Sequence, residues 1–259
     1  MEEFIQFKRV DQVAHISLNR PKVFNSFNRP MALRLQEILD QCASDSEVRA
    51  IYLTGVGKAF CAGQDLQEIT AEDGPSLTKI ITEHYNPIVM RIRQIEKPIV
   101  CAVNGVAAGA GANIALACDI TVAHEGASFI QAFSKIGLIP DSGGTYFLPR
   151  IIGRQKAAAL MMLGDKVSAA QAEDMGMIYK SMSGDTFEEE SFAIAQKLSK
   201  MPTIGLGLTK KALNYSLTND LERQLAMEDQ LQTAASKTAD YKEGVQAFLE
   251  KRKPNFKGE

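Results

Sequence analysis

Apolar residues recur along this chain at two spacings, and the change from one to the other divides it. Residues 3 to 18 alternate apolar and polar side chains, which predicts two strands, with Val13, Ile16 and Leu18 in the second and Pro21 ending it. Over residues 29 to 43, Met31, Leu35, Ile38, Leu39 and Cys42 fall at helical spacing behind Asn28, a candidate N-cap, with Pro30 tolerated in the first turn. Residues 50 to 54 form a short apolar run closed by Gly55-Val56-Gly57, as a buried strand would. A long helical pattern over 76 to 95 hands over at Lys97-Pro98 to a second buried strand at 99 to 103, and further strands are expected at 120 to 123 and 128 to 130. Strand and helix thus alternate up to about residue 150, the pattern of an α/β domain.

From Gly153 onward the period is almost only helical: 153 to 163, 168 to 174, 186 to 199, 203 to 215, 219 to 235 and 239 to 251. No linker marks the change, so the helical part is expected to pack on the α/β core or on another subunit. Residues 99 to 118 carry no charge and place Gly105 and Gly109 at GxxxG spacing, which imitates a membrane helix. Pro98 and the β-like Ile99-Val100-Cys101-Ala102-Val103 open that stretch and Asn104-Gly105 break it, so a strand, a loop and a buried helix fit better, and no membrane span is expected.

Composition narrows the classes further. With 29 Lys+Arg against 31 Asp+Glu the formal charge is -2, and no overall field draws nucleic acid or an anionic membrane. Cys42, Cys61, Cys101 and Cys118 lie far apart, and neither they nor His15, His84 and His124 have metal-ligand spacing, so no metal site is expected and free thiols point to a reducing, cytoplasmic compartment. The acidic start Met1-Glu2-Glu3-Phe4 lacks the basic and apolar regions of a signal peptide. Gly55-Val56-Gly57-Lys58 runs into Ala59 where a phosphate loop needs Ser or Thr; no GxGxxG follows the first strand; no GxSxG is present and Ser142 has no evident His partner.

Two segments remain as candidate chemistry: Gly57-Lys58-Ala59-Phe60-Cys61-Ala62-Gly63-Gln64-Asp65-Leu66, and Asn104-Gly105-Val106-Ala107-Ala108-Gly109-Ala110-Gly111-Ala112-Asn113. Each leaves a strand through small residues into an expected helix, where backbone N–H groups lie open to a ligand. Two such groups converging on one oxygen make an oxyanion hole; tight packing of small residues between helix and sheet explains the same pattern. Asp141, inside Pro140-Asp141-Ser142-Gly143-Gly144, reads either as a turn residue or helix cap or as a functional carboxylate.

These two segments resemble the signatures of the enoyl-CoA hydratase/isomerase, or crotonase, superfamily, and similarity continues through Gly137-Leu138-Ile139-Pro140-Asp141-Ser142-Gly143-Gly144-Thr145 to Glu243-Gly244-Val245-Gln246-Ala247-Phe248-Leu249-Glu250-Lys251-Arg252. The resemblance implies an α/β spiral of ββα units over 1–195 and a helical region, 196–259, used in forming trimers or hexamers. It implies an acyl-CoA thioester as ligand, its carbonyl oxygen held by the N–H groups of Ala62 and Ala110, with Gly63, Gln64, Asp65, Leu66 and Phe133 around it. No metal or redox cofactor is implied, since CoA is part of the substrate. Lys257, with Lys251-Arg252-Lys253, is either a solvated terminus or a contact for the CoA phosphates.

Hydratases of that family carry two Glu, and the matching positions here hold Asn113 and Phe133, neither of which can act as a base. Asp141 resembles the base of the isomerase branch, moving a proton between carbons beside the thioester. Tyr85-Asn86-Pro87, Ala107-Ala108-Gly109-Ala110-Gly111-Ala112 and Phe133-Ser134-Lys135-Ile136-Gly137 narrow the resemblance to isomerases that convert ring-1,2-epoxyphenylacetyl-CoA to its seven-membered oxepin form, alongside Δ3,Δ2-enoyl-CoA isomerase activity. Phe133, and Phe129 with it, either favours a flat apolar acyl group or belongs to the core. The competing expectation is an enoyl-CoA hydratase with atypical machinery.

Overall fold

The computed structural model describes residues 4–259, so the acidic Met1-Glu2-Glu3 lies outside the described residues. Two sheets organise the chain. The larger has six strands in the order β1 (Ile5–Val10), β2 (Val13–Leu18), β3 (Ala50–Gly55), β5 (Ile99–Val103), β7 (Ile120–His124) and β10 (Lys180–Met182), parallel throughout except for the β1–β2 hairpin. The smaller contains β4 (Ala59–Cys61), β6 (Val106–Ala108), β8 (Ser128–Ile130) and β9 (Lys166–Ser168), with only the β8–β9 pair antiparallel. Three times in succession the chain leaves a long strand of the first sheet and immediately adds a short strand to the second. That repeated step is the ββα spiral expected from the resemblance.

Period-2 alternation explains why the larger sheet is covered on both faces. Ile16, Leu18, Ile51, Leu53, Ile99, Cys101 and Val103 point into one core with helices α1 (Arg29–Ser44), α4 (Asn86–Gln94) and α5 (Ala110–Ala117). Their neighbours Val13, Ala50, Tyr52, Val100, Ala102 and Val122 point the other way, against Phe187 and Ala195 of α9 (Phe187–Ser199). Tyr52 is buried there with its hydroxyl 2.8 Å from Ser191 Oγ, which satisfies its polar end. Each large side chain buried in this way contributes roughly 1.5–3 kcal/mol.

The remaining helices are α2 (Leu66–Thr70), α3 (Leu77–Lys79), α6 (Gly144–Ile152), α7 (Arg154–Leu163), α8 (Ala169–Asp174), α10 (Thr203–Ser216), α11 (Leu221–Ala235) and α12 (Ala239–Leu249). The single helix expected over 76 to 95 is instead α3, a wide π-type turn (Ile80–Tyr85) and α4, with Pro87 in the first turn of α4. The uncharged stretch 99–118 is divided into β5, β6 and α5, and among the described residues no helix is long and apolar enough to cross a membrane. Helices α11 and α12 leave Leu221, Leu225, Phe248 and Leu249 exposed.

Candidate active site

The exits of the parallel strands β3 and β5 lie side by side, and each feeds a short strand of the smaller sheet. After β6, Gly109 adopts φ +54°, a conformation L side chains rarely adopt, and the chain turns at once into α5. Ala110 is the first residue of that helix, so its N–H has no acceptor within the helix. Gly111 sits flush on β4: a Cβ there would overlap Cys61 O and lie 2.7 Å from Cys61 Cβ. This close approach brings the two glycine segments together, and a Cβ on Gly63 would lie 3.5 Å from Ala110 N.

The first segment differs from expectation in one respect. The Ala62 N–H donates to Phe24 O at 3.0 Å, so it is committed to the backbone and is not available to a ligand. The flanking groups of Gln64 are also paired, Gly63 O accepting from Phe27 N at 2.7 Å and Asp65 N donating to Phe27 O at 2.9 Å, but the Gln64 N–H itself has no partner among the described residues. The open N–H of this segment is therefore that of Gln64, where the resemblance implied Ala62. A loop that the sequence did not single out does this work. Phe24 and Asn25 both have left-handed backbone, and buried Asn25 donates to Val56 O at 3.0 Å and Ala59 O at 2.8 Å, holding the loop against β4.

A cavity of about 170 Å³ opens at this junction. Ala62, Gly63, Gln64, Leu66, Ala110, Phe133 and Asp141 all line it, together with Tyr85, Ile80, Ile136 and Leu138, which were not among the expected site residues. Ile80 and Tyr85 fall in the stretch read as one helix, and Ile136 and Leu138 in and just after a short irregular turn, so no pattern set them apart as site residues. Phe133 is buried, and its ring edge lies 3.7 Å from the position a Cβ on Gly109 would take. Phe129, by contrast, is fully in the main core.

Asp141 contributes the cavity's carboxylate. Its Oδ1 accepts from Ser142 Oγ at 2.9 Å, and among the described residues no cation pairs with it. Burial pushes this carboxyl above its ordinary range, opposed by the Ser142 hydroxyl and by its own backbone N–H, which favour the charged form. Behind it, fully buried Asn113 donates from Nδ2 to Asp141 O at 2.9 Å and accepts at Oδ1 from Gln131 Nε2 at 2.8 Å. The side chain at 113 thus holds the 141 turn in place and does not face the ligand space as a base.

Two expected site residues lie elsewhere. Asp65 turns away from the cavity: one oxygen caps α2 through Gln67 N at 3.1 Å and the other pairs with Arg20 Nη2 at 2.9 Å. Lys257 sits on a tail docked at the opposite end of the larger sheet. Its N–H donates to Asp240 Oδ1 at 2.7 Å, and the neighbouring Phe256 O accepts from Arg49, the residue before β3. Within one chain Lys257 is therefore not part of the site. A larger groove, about 600 Å³, runs between α4, α6 and α10, but its cations are engaged, Arg93 and Lys210 with Asp119 and Lys211 with Glu96.

Residues 8–259 match the enoyl-CoA hydratase/isomerase family. The chain is 46% identical over its full length to the full length of 1,2-epoxyphenylacetyl-CoA isomerase from Escherichia coli K12, and 43% identical over 98% of both chains to a probable enoyl-CoA hydratase of Rhodobacter capsulatus. Among solved structures, enoyl-CoA hydratase from Bacillus anthracis superposes with a TM-score of 0.93 at 35% identity, covering 99% of this chain and all of that one. With the spiral topology and these full-length matches together, the chain belongs to the enoyl-CoA hydratase/isomerase family.

Proposed function

We propose that the protein is an acyl-CoA isomerase in which Asp141 is the base and the Gln64 and Ala110 N–H groups hold the thioester oxygen. The observation that carries this reading is the carboxylate of Asp141, bonded to Ser142 Oγ but paired with no cation, in the same small cavity as the Gln64 and Ala110 N–H groups, which have no acceptor among the described residues. The carboxylate takes the proton from the carbon beside the thioester, and the C–H electron pair becomes an enolate with its charge on the thioester oxygen. The fixed N–H groups stabilise that charge most in the transition state. The carboxylic acid so formed returns the proton to another carbon, so the double bond moves with no gain or loss of atoms. No metal or redox group is called on by this sequence of steps.

A ring-bearing acyl group fits best. The cavity, about 170 Å³ and walled by Phe133, Ile80, Ile136 and Leu138, is close in size to the roughly 150 Å³ apolar cavities that accept benzene. The 46% identical E. coli relative is named for a ring-epoxide thioester, and conversion of 1,2-epoxyphenylacetyl-CoA to its oxepin is likewise an isomerisation. The hydratase reading has support in the Rhodobacter relative, but Asn113 is locked in the turn behind Asp141 and Phe133 carries no base. Exposed apolar residues of α11 and α12 fit a trimer or hexamer, and four buried free thiols fit a reducing, cytoplasmic setting.

The test is turnover of three thioesters, ring-epoxide, 3-enoyl and 2-enoyl, by the wild type and by Asp141→Asn. Isomerisation should fall by about 10²–10⁴ in kcat in the variant with acyl-CoA binding retained. Hydration of 2-enoyl-CoA as the fastest reaction, undiminished in Asp141→Asn, would show that the protein is a hydratase.

A further inference from the structure

We propose that Tyr85 is a positioning residue, which aims the Gln64 N–H at the thioester oxygen by fixing the Gln64 side chain from across the cavity. The inference rests on the reading of Gln64 as an oxyanion donor. An N–H on a loop stabilises a developing charge only if its direction is set before the reaction, and the Gln64 side chain is tied at both ends. Its Oε1 accepts from the Tyr85 hydroxyl at 2.8 Å, and its Nε2 donates to Glu68 Oε2 at 2.7 Å. The other Glu68 oxygen accepts from Arg29 N at 2.7 Å, at the first residue of α1, so the chain of bonds ends on a rigid helix.

Tyr85 is itself well anchored. It is 1% exposed, and its ring meets Phe27 edge to face at 5.9 Å, while Phe27 supplies both backbone bonds that bracket Gln64. It closes the wide turn Ile80–Tyr85, whose carbonyls at 83 and 84 accept from Gln36 Nε2 at 2.8 and 3.2 Å. Turns of this kind inside helices recur at functional sites, because the extra residue re-aims a side chain that a regular helix would carry elsewhere. Burial raises the Tyr85 hydroxyl well above its ordinary value, with Cys61 and Asp141 adding to the effect, so it stays a donor throughout the working range.

A merely structural tyrosine and a positioning one differ in what the bound carbonyl experiences. The probe is phenylacetyl-CoA labelled with ¹³C at the thioester carbonyl, whose stretching frequency falls when oxyanion donors polarise it. In the wild type the band should shift down on binding; in Tyr85→Phe, which keeps the ring and its contact with Phe27, most of that shift should be lost. On 3-enoyl-CoA, kcat should drop about 10- to 100-fold with KM little changed, the signature of an interaction strongest in the transition state. Gln64→Ala leaves the N–H in place but removes both tethers, so it should lose the same shift, and Tyr85→Phe should add nothing in that background. Full loss on top of Gln64→Ala, or a wild-type shift kept in both single variants, overturns the role of Tyr85 alone. A wild type that binds the probe with no carbonyl shift overturns the oxyanion reading of Gln64 and this inference with it. Should Tyr85→Phe fail to fold, Gln64→Ala decides by itself: an undiminished shift there refutes the proposal.

Discussion

Replacing Asn113 with aspartate changes one donor into an acceptor at almost constant shape, and the consequence follows from its two partners. Gln131 Nε2 would still donate to the near oxygen, as it does at 2.8 Å now, but the far oxygen would face Asp141 O, 2.9 Å away in the wild type, with no proton between them. The site is fully buried, so an ionised carboxylate there has no water to turn to. Relief comes from taking up a proton, which restores the donor. Burial of this kind raises a carboxyl pKa by up to 3–5 units; taking about 3 units at 1.36 kcal/mol each gives about 4 kcal/mol. The sign follows from linkage. The folded pKa is raised above the unfolded value of about 3.9, so the folded state binds the proton more tightly, and stability relative to the wild type is intact below about pH 4 and lost as pH rises through about 7. At about 2–4 °C per kcal/mol for a chain of this size, Asn113→Asp should melt about 8–16 °C below the wild type at about pH 8 and close to it at about pH 4. Thermal unfolding of both proteins by circular dichroism across that range reads the difference directly. A gap that does not change with pH, or none at about pH 8, would refute the argument that Asn113 must donate to the Asp141 turn.

Ser142→Ala removes a bond to Asp141 Oδ1 that favours the charged form, so the carboxyl, already raised by burial, should rise further. Because the base must be ionised, the acid limb of the kcat/KM profile should move to higher pH with its plateau little changed; a limb that stays put or moves down argues against Asp141 as the titrating group. Phe133→Ala enlarges the cavity beside Gly109, and should change the preference between ring and long-chain thioesters by about 10- to 200-fold towards the longer chain, read as the ratio of kcat/KM values.

The parts of the fold legible in the sequence are those whose residues obey a period. β2, β3, β5 and β7 follow their apolar runs, and α1 starts where Asn28 caps it, its side chain accepting from Met31 N at 3.1 Å. The short strands β4, β6, β9 and β10 have three residues each and, unlike β8 with its Phe129 between Ser128 and Ile130, show no apolar pattern of their own; they exist because the neighbouring strand offers a ladder. Helix α6 was hidden by its own Pro149, tolerated near its end, and by the glycines in front of it. In the site, the small residues announced open backbone, but which N–H stays open depends on Phe24, far back in the chain, pairing with Ala62. Asp65 carries a helix-capping role that its place before Leu66 already permitted. Tyr85 lines the cavity at the end of a wide turn where the sequence showed only a continuous helical pattern.

The turn at Asp141 and the base proposed there depend on the same stretch of backbone. Ser142 and Gly143 both take left-handed backbone, at φ +51° and +77°, before α6 begins at Gly144. For the serine this costs about 1–2 kcal/mol, offset by the Gly144 N–H and the Asn113 amide, which both donate to Asp141 O at 2.8 and 2.9 Å, and by the buried Ser142 Oγ. Gly144 must lack a side chain, since a Cβ would overlap the Asn113 amide and lie 2.7 Å from its Cγ. After this doubled left-handed step no side chain caps α6, so Asp141 does not serve as its cap. Burial outweighs the Ser142 hydroxyl and the residue's own N–H, and the pKa goes up. A carboxylate that capped a helix would be a weaker base for a carbon acid; in the proposed role, one that caps no helix and is raised by burial is better matched to taking a proton from the carbon beside a thioester and giving it back.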